Sequence, residues 1–263
     1  MYPTPVFLIR GGLPGPIIDA HAAGAVFAFQ AHFDGLVVFT LWRRADVEAL
    51  LPAGLVPATD PTGFELHPVV FIFGEQHRGE TLFGGRALPT GGDYHECGIF
   101  IPYVKHVAGR YLHCYAQRMY ASYHPAVWTG NAHWGLAKKQ ATMWWHEALY
   151  VVMDTTGRAL IEAMAEPDSD WQPADRCTLA NFAAVRALGV LPVLGRRPDR
   201  TYVTSYFDWD FTHAQARPAR AHVTILAPLG GGLLPRECPS APGGALEVRG
   251  MRWKLSWSGP CRF

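Results

Sequence analysis

Runs of β-branched and aromatic residues, bounded by glycine, proline and polar clusters, recur along this chain and leave few windows for helix. "DGLVVFTLW" (34–42), "HPVVFIF" (67–73), "HECGIFIPYV" (95–104), "RYLHCYAQRMY" (110–120), "QATMWW" (140–145), "LYVVMD" (149–154), "TYVTSYFDWDFTH" (201–213) and "HVTILAP" (222–228) all read as strands. Alternation in 201–213 places Val203, Phe207, Trp209 and Phe211 on one face and Asp208 and Asp210 on the solvent side. A Pro- and Gly-rich linker over 228–244 precedes a last expected strand around "LEVRGMRWKLSW". A helical window falls in "RADVEALLPAGLVP", where Val47, Leu50 and Leu51 share a face until Pro52 and Gly54 stop the helix. Residues 1–30, rich in Pro, Gly and Ala, read as an irregular arm. Such a pattern predicts a mainly β (α+β) fold, an antiparallel sheet or barrel with few short helices, in one domain spanning 1–263.

Composition narrows the function. The 263 residues are 49% hydrophobic and 17% charged with a net charge of +1, which fits a compact chain and excludes the clustered positive surface that nucleic acid requires. No apolar stretch of about 18 residues reads as a membrane span. The segment 17–30 is interrupted by Asp19 and His21 and lacks a signal peptide's basic lead-in. Cys97, Cys114, Cys177, Cys238 and Cys261 are odd in number and show no C-x-x-C spacing, so free thiols in a reducing cytoplasm are expected.

Lysine usage is the clearest chemical signal. Of 23 lysines and arginines only Lys105, Lys138, Lys139 and Lys254 are lysine, yet two stand side by side in "HWGLAKKQATMWW". A lysine amine attacks carbonyl carbon only when unprotonated, and at a reference pKa near 10.4 roughly one in 2,500 is neutral at pH 7. Burial in an apolar pocket or a neighbouring cation lowers that pKa, whereas arginine stays protonated. Alternation puts Lys138 and Lys139 on opposite faces of a strand, so only one can enter a given cavity; periodicity does not choose between them. A solvated lysine doublet guarding a strand edge is the alternative.

The ordered set "ALLPAGLVP" (49–57), "YHECGIFIPY" (94–103), "GRYLHCYAQRMY" (109–120) and "TGNAHWGLAKKQA" (129–141) resembles the acetoacetate decarboxylase family. The resemblance implies a sheet closing into a barrel or cone around a central cavity, and a homo-oligomer. It implies that Lys138, first of the pair, forms a Schiff base, with Lys139 helping to hold its pKa down. It also implies that Glu96 is the active-site glutamate, positioning substrate or relaying a proton. Family activation of a lysine by desolvation or a nearby cation is a known case of this chemistry. The implied function is a carbon–carbon lyase acting on a small-molecule oxo acid, with decarboxylation of a β-keto acid as the family reaction. Aldol condensation and dehydration of a 2-oxo acid such as pyruvate through the same lysine is an alternative; a binding protein that kept the scaffold is another. No cofactor and no metal are required.

Departures from the family pattern bear on the chemistry. The run before the lysines usually contains Gly-Arg-Glu and here is Gly130-Asn131-Ala132; Ala137 replaces a proline and Leu136 an aromatic residue. No arginine occurs over 28–36, where one associated with the substrate carboxylate is expected, and Arg43 and Arg44 lie too far on. These changes raise the weight of relatives with altered chemistry. Among twelve histidines, His95, His106 and His113 are possible metal ligands, but no H-E-x-x-H spacing occurs. The glycine runs 11–15 and 230–232 lack a phosphate-loop pattern, and no G-x-S-x-G is present.

Overall fold

The computed structural model describes residues 23–58, 65–84, 86–174, 185, 188–261 and 263. In chain order it runs β1 (Phe27–Arg43), α1 (Arg44–Leu50), β2 (Leu55–Pro57), β3 (Leu66–Phe83), β4 (Arg86–Pro89), β5 (Tyr94–His106) and β6 (His113–Ala121). Then come α2 (His124–Trp134), β7 (Lys138–Gln140), β8 (Thr142–His146), β9 (Leu149–Met153), β10 (Ala159–Pro167) and β11 (Gln172–Pro173). The remainder is β12 (Val193–Arg196), β13 (Tyr202–Ser205), β14 (Phe207–Asp210), β15 (Gln215–Ile225), β16 (Arg236–Pro239), β17 (Ala245–Ser256) and β18 (Gly259–Pro260). All these strands belong to one sheet, antiparallel except where β6 meets β7 and β12 in parallel.

The sheet's spine is β17–β1–β3–β5–β6–β7. Its central strands are covered on both faces, which is why their sequences read as unbroken apolar runs: Leu36, Val37, Val38 and Phe39 are all buried. Alternate side chains enter two separate cores. Leu36, Val38, Phe71, Phe73, Cys97, Ile99 and Ile101 form a filled core with β9, β10 and β15. Phe33, Val37, Val70, Phe100, Cys114, Met119, Met251 and Trp253 lie in the second core, which surrounds a cavity.

The strand β17 joins these two halves. One edge pairs with β1; the other pairs with β15 over Ala245–Arg249 and with β14 over Arg252–Leu255. The change of partner falls at Gly250, whose φ of 68° suits glycine.

Several expectations are corrected. The sheet does not close into a barrel. Tyr206 separates β13 from β14; its N–H donates to Ser256 Oγ and its C=O accepts from Ser256 N–H, each at 2.9 Å. Beyond the split β13 pairs with β18, where Pro260 has no N–H to extend the ladder. The irregular arm ends sooner than expected, since Phe27 already opens β1; residues 1–22 lie outside the described ones. The 228–244 linker contains β16, paired with β15. The run 140–145 is divided at Ala141. The helix α2 was not anticipated: Pro125 sits in its first turn and Gly135 (φ 62°) ends it in the left-handed conformation.

Candidate active site

The spine carries its polar groups to one place. Gln76 on β3, Tyr94 and Glu96 on β5, and Lys138 at the start of β7 line the same cavity, otherwise walled by apolar and aromatic side chains such as Phe33, Ile72, Phe100 and Met119. The cavity has a volume of about 100 Å3. Register explains the convergence: Lys138 stands opposite Met119, Met119 opposite Gly98 and Gly98 opposite Ile72, with Glu96 two residues from Gly98 on the same face.

Lys138 Nζ donates to Glu96 Oε1 in a short ion pair, with side-chain exposures of 7% and 11%. Glu96 Oε2 accepts from Gln76 Nε2 at 3.2 Å, and Gln76 Oε1 accepts from Trp253 Nε1 at 2.8 Å. Lys138 is held from behind as well. Asn131 Oδ1 accepts from the Lys138 backbone N–H at 2.7 Å, and Asn131 Nδ2 donates to the Lys138 carbonyl at 2.9 Å. The lysine stem lies on Gly130, where an added Cβ would meet Lys138 Cδ at 2.7 Å. Ala137 has φ 50°, a conformation closed to proline. Two of the departures from the family pattern, Asn131 and Ala137, are thus the residues that set the lysine's backbone.

Lys139, the third predicted site residue, is exposed and does not line the cavity. Gln76, Trp253 and Asn131 were missed by sequence reasoning, because nothing local marks an amide as facing a carboxylate 20 residues away or an indole 177 away. Arg43 and Arg44 do not approach the site: Arg43 pairs with Asp46, and Arg44 pairs with Glu48 and donates to the carbonyls of Pro57 and Ala58.

Burial sets the titration of the groups around the pair. It raises the Tyr94 hydroxyl well above its ordinary range, with the nearby Glu96 charge adding to the effect. Cys97 is pushed up by the same two causes, and Cys114 by burial. Phenol and thiols therefore stay protonated at neutral pH. Cys97, Cys114, Cys238 and Cys261 are free; Cys177 lies outside the described residues. Of the possible metal ligands, His106 stacks on Phe263 at 4.1 Å and His95 lies edge-on to Trp145 at 4.6 Å. A second, outer cavity meets the first at Lys138, Tyr94, Leu136, Trp253 and Leu255, and adds the rings of Phe29, Tyr123, Trp134 and Trp257.

The family model described as Acetoacetate decarboxylase (ADC) matches residues 16–216. The chain belongs to the acetoacetate decarboxylase family. A search of curated proteins finds no significant match. Among solved structures the fold is similar to the enduracididine biosynthesis enzyme MppR complexed with the condensation product of pyruvate and imidazole 4-carboxaldehyde, with TM-score 0.60 and 16% identity over 89% of this chain and 88% of that one. It is also similar to acetoacetate decarboxylase from Legionella pneumophila subsp. pneumophila str. Philadelphia 1, with TM-score 0.59 and 14% identity over 98% and 95%. An acetoacetate decarboxylase-like enzyme from Sphingomonas wittichii RW1 gives TM-score 0.55 and 12% identity over 90% and 94%. These likenesses establish a shared fold within a family of enzymes. No helix among the described residues is long and apolar enough to cross a membrane.

Proposed function

We propose that this protein is a carbon–carbon lyase in which Lys138 forms a Schiff base with an oxo acid. The observation that carries the reading is the Lys138–Glu96 pair, buried in an otherwise apolar cavity large enough for a small substrate. A carboxylate alone would hold the lysine charged, the opposite of what nucleophilic attack needs. An apolar surrounding, however, disfavours both ions, at about several kcal/mol each. Passing one proton from Nζ to Glu96 removes both charges at once and leaves a free amine. Lys139 contributes less, because water screens its exposed charge.

The steps follow from that transfer. Neutral Nζ attacks the ketone carbon, and the carbinolamine loses water with the proton returned by Glu96, giving a protonated imine. In a β-keto acid the bond to the carboxylate then breaks; CO2 leaves and the bonding pair reaches the imine nitrogen as an enamine. Protonation at the enamine carbon and addition of water release the ketone and restore Lys138. Desolvation by the apolar walls favours this loss of charge as CO2 departs.

A second reading is favoured by the outer cavity, which opens on the same lysine. There the imine of a 2-oxo acid such as pyruvate would lose a proton, and its enamine would add to an aldehyde, with loss of water to follow.

Incubation with pyruvate, and separately with acetoacetate, followed by borohydride and peptide mass spectrometry, tests the reading. Label is expected at Lys138 in the native protein and in Lys139→Ala, and none in Lys138→Ala. Label at Lys139 would transfer the role to the neighbour, and CO2 release separates decarboxylation from condensation.

A further inference from the structure

We propose that Gln76 and Trp253 are positioning residues that decide which oxygen of Glu96 carries the proton; this rests on the Schiff-base reading above. The directions of the hydrogen bonds force the conclusion. An indole N–H donates and cannot accept. Trp253 Nε1 lies 2.8 Å from one end of the Gln76 amide, so that end is the carbonyl oxygen. The other end is therefore the NH2 group, and it lies 3.2 Å from Glu96 Oε2. An amide NH2 only donates, so Oε2 accepts, and an unprotonated oxygen accepts best. A proton held by Glu96 is then favoured on Oε1, which is the oxygen paired with Lys138 Nζ.

The sheet enforces this relay. Gln76 stands opposite Phe33 of β1, Trp253 opposite Ala31 of the same strand, and Glu96 opposite Gly74 of β3. Trp253 and Gln76 are each only 7% exposed, so water does not compete for the two bonds. The amide cannot flip without setting its NH2 against the indole N–H and its oxygen against a carboxylate oxygen. Consequently the carboxyl returns protons along one line, without rotating between transfers. Trp253 also walls both cavities, so a ligand in either one touches the outer end of the relay.

The titratable groups around Glu96 are few. Lys138 faces it from β7, Tyr94 and Cys97 lie on its own strand, Cys114 reaches the cavity from β6, and His95 points to the opposite face against Trp145. Burial keeps the phenol and thiols protonated, so they add no charge beside the relay at neutral pH.

Two measurements test the relay: the rate of borohydride trapping of pyruvate against pH, and the titration of Glu96 by carbon-13 NMR without substrate. Both are made on the native chain, Gln76→Leu and Trp253→Phe, with circular dichroism to confirm folding. Gln76→Leu removes a hydrogen bond to the ionised carboxylate, so the Glu96 titration should move up by about one pH unit or more, the size of one such lost bond. Trp253→Phe keeps an aromatic ring but frees the amide to turn. It should shift the acid limb of the trapping profile in the same direction, by less. Profiles and titrations unchanged in position, with only the maximal rate altered, would mean packing alone and overturn the proposal. Absence of trapping in the native chain would refute the Schiff-base reading, while the Glu96 titration would still decide the relay.

Discussion

The two faces of the central strands each carry an acid–base pair, and the pairs differ in the cation. On the filled face Arg217 of β15 pairs with Glu247 of β17, and Arg217 and Arg249 lie over the Trp171 ring at 4.5 and 4.0 Å. On the cavity face Lys138 pairs with Glu96. A guanidinium stays charged at any accessible pH, so the first pair is permanent and serves the fold. An ammonium beside a carboxylate in an apolar cavity can give up its proton, and the second pair can vanish into two neutral groups. The rare residue of this arginine-rich chain stands where the proposed chemistry needs a removable charge.

The largest expected effect breaks the comparison at the cation itself. Lys138→Arg keeps the positive charge but abolishes borohydride labelling, lowering turnover at least about a thousandfold, the loss of a covalent route. Arg217→Lys leaves turnover within about twofold, because its pair lies on the other face. Matching losses in both variants would show that the two pairs do the same job.

Packing separates the faces next. Phe71 is fully buried in the filled core, so Phe71→Ala should cost about 3–5 kcal/mol in urea unfolding. Ile72, its neighbour, borders the cavity, and Ile72→Ala should cost about 2 kcal/mol or less, having fewer neighbours to lose. Equal costs would mean that the cavity is filled in solution.

Acid should weaken the filled face. His67 and His113 have the same parity as Phe71 and Tyr115, and burial lowers each pKa to about 4. His67 Nε2 lies 2.8 Å from the Pro102 carbonyl, which opposes the shift without cancelling it. In the unfolded chain each protonates near 6.5. Stability is therefore complete above pH 6.5, falls as pH drops, and stops falling below about 4. Between pH 7 and 5 the loss should be about 2 kcal/mol for each histidine, read from urea midpoints. His67→Gln should flatten its share of the slope.

The smallest effect lies directly before the lysine. Ala137→Gly should relieve the left-handed strain at φ 50° and stabilise by up to about 1 kcal/mol. Ala137→Pro, restoring the family's residue, should instead destabilise and displace Lys138, seen as lost labelling, since proline cannot take this φ.

Much of this site was legible in the chain, and the rest was not for identifiable reasons. Strand content and the α1 helix followed from side-chain pattern, since β-branched runs and a Pro-Gly stop act locally. The Lys138 and Glu96 positions came from ordered motifs. The helix α2 escaped because its apolar residues make no clear stripe and only Gly130 is buried, so its signals were Pro125 and Gly135 alone. Closure of the sheet was expected from the family resemblance, and it depends on pairing between strands far apart in the chain, which no local pattern carries.

By itself the sequence determined most of the strand-forming runs and that two adjacent rare lysines point to opposite sides. Periodicity and side-chain chemistry are properties of a few neighbouring residues, so they survive without a fold. Only the tertiary structure decided which lysine enters the cavity, which glutamate it meets, and that Gln76 and Trp253 stand behind that glutamate. Those facts depend on the register of strands distant in the chain, where a shift of one residue would turn every side chain to the other face.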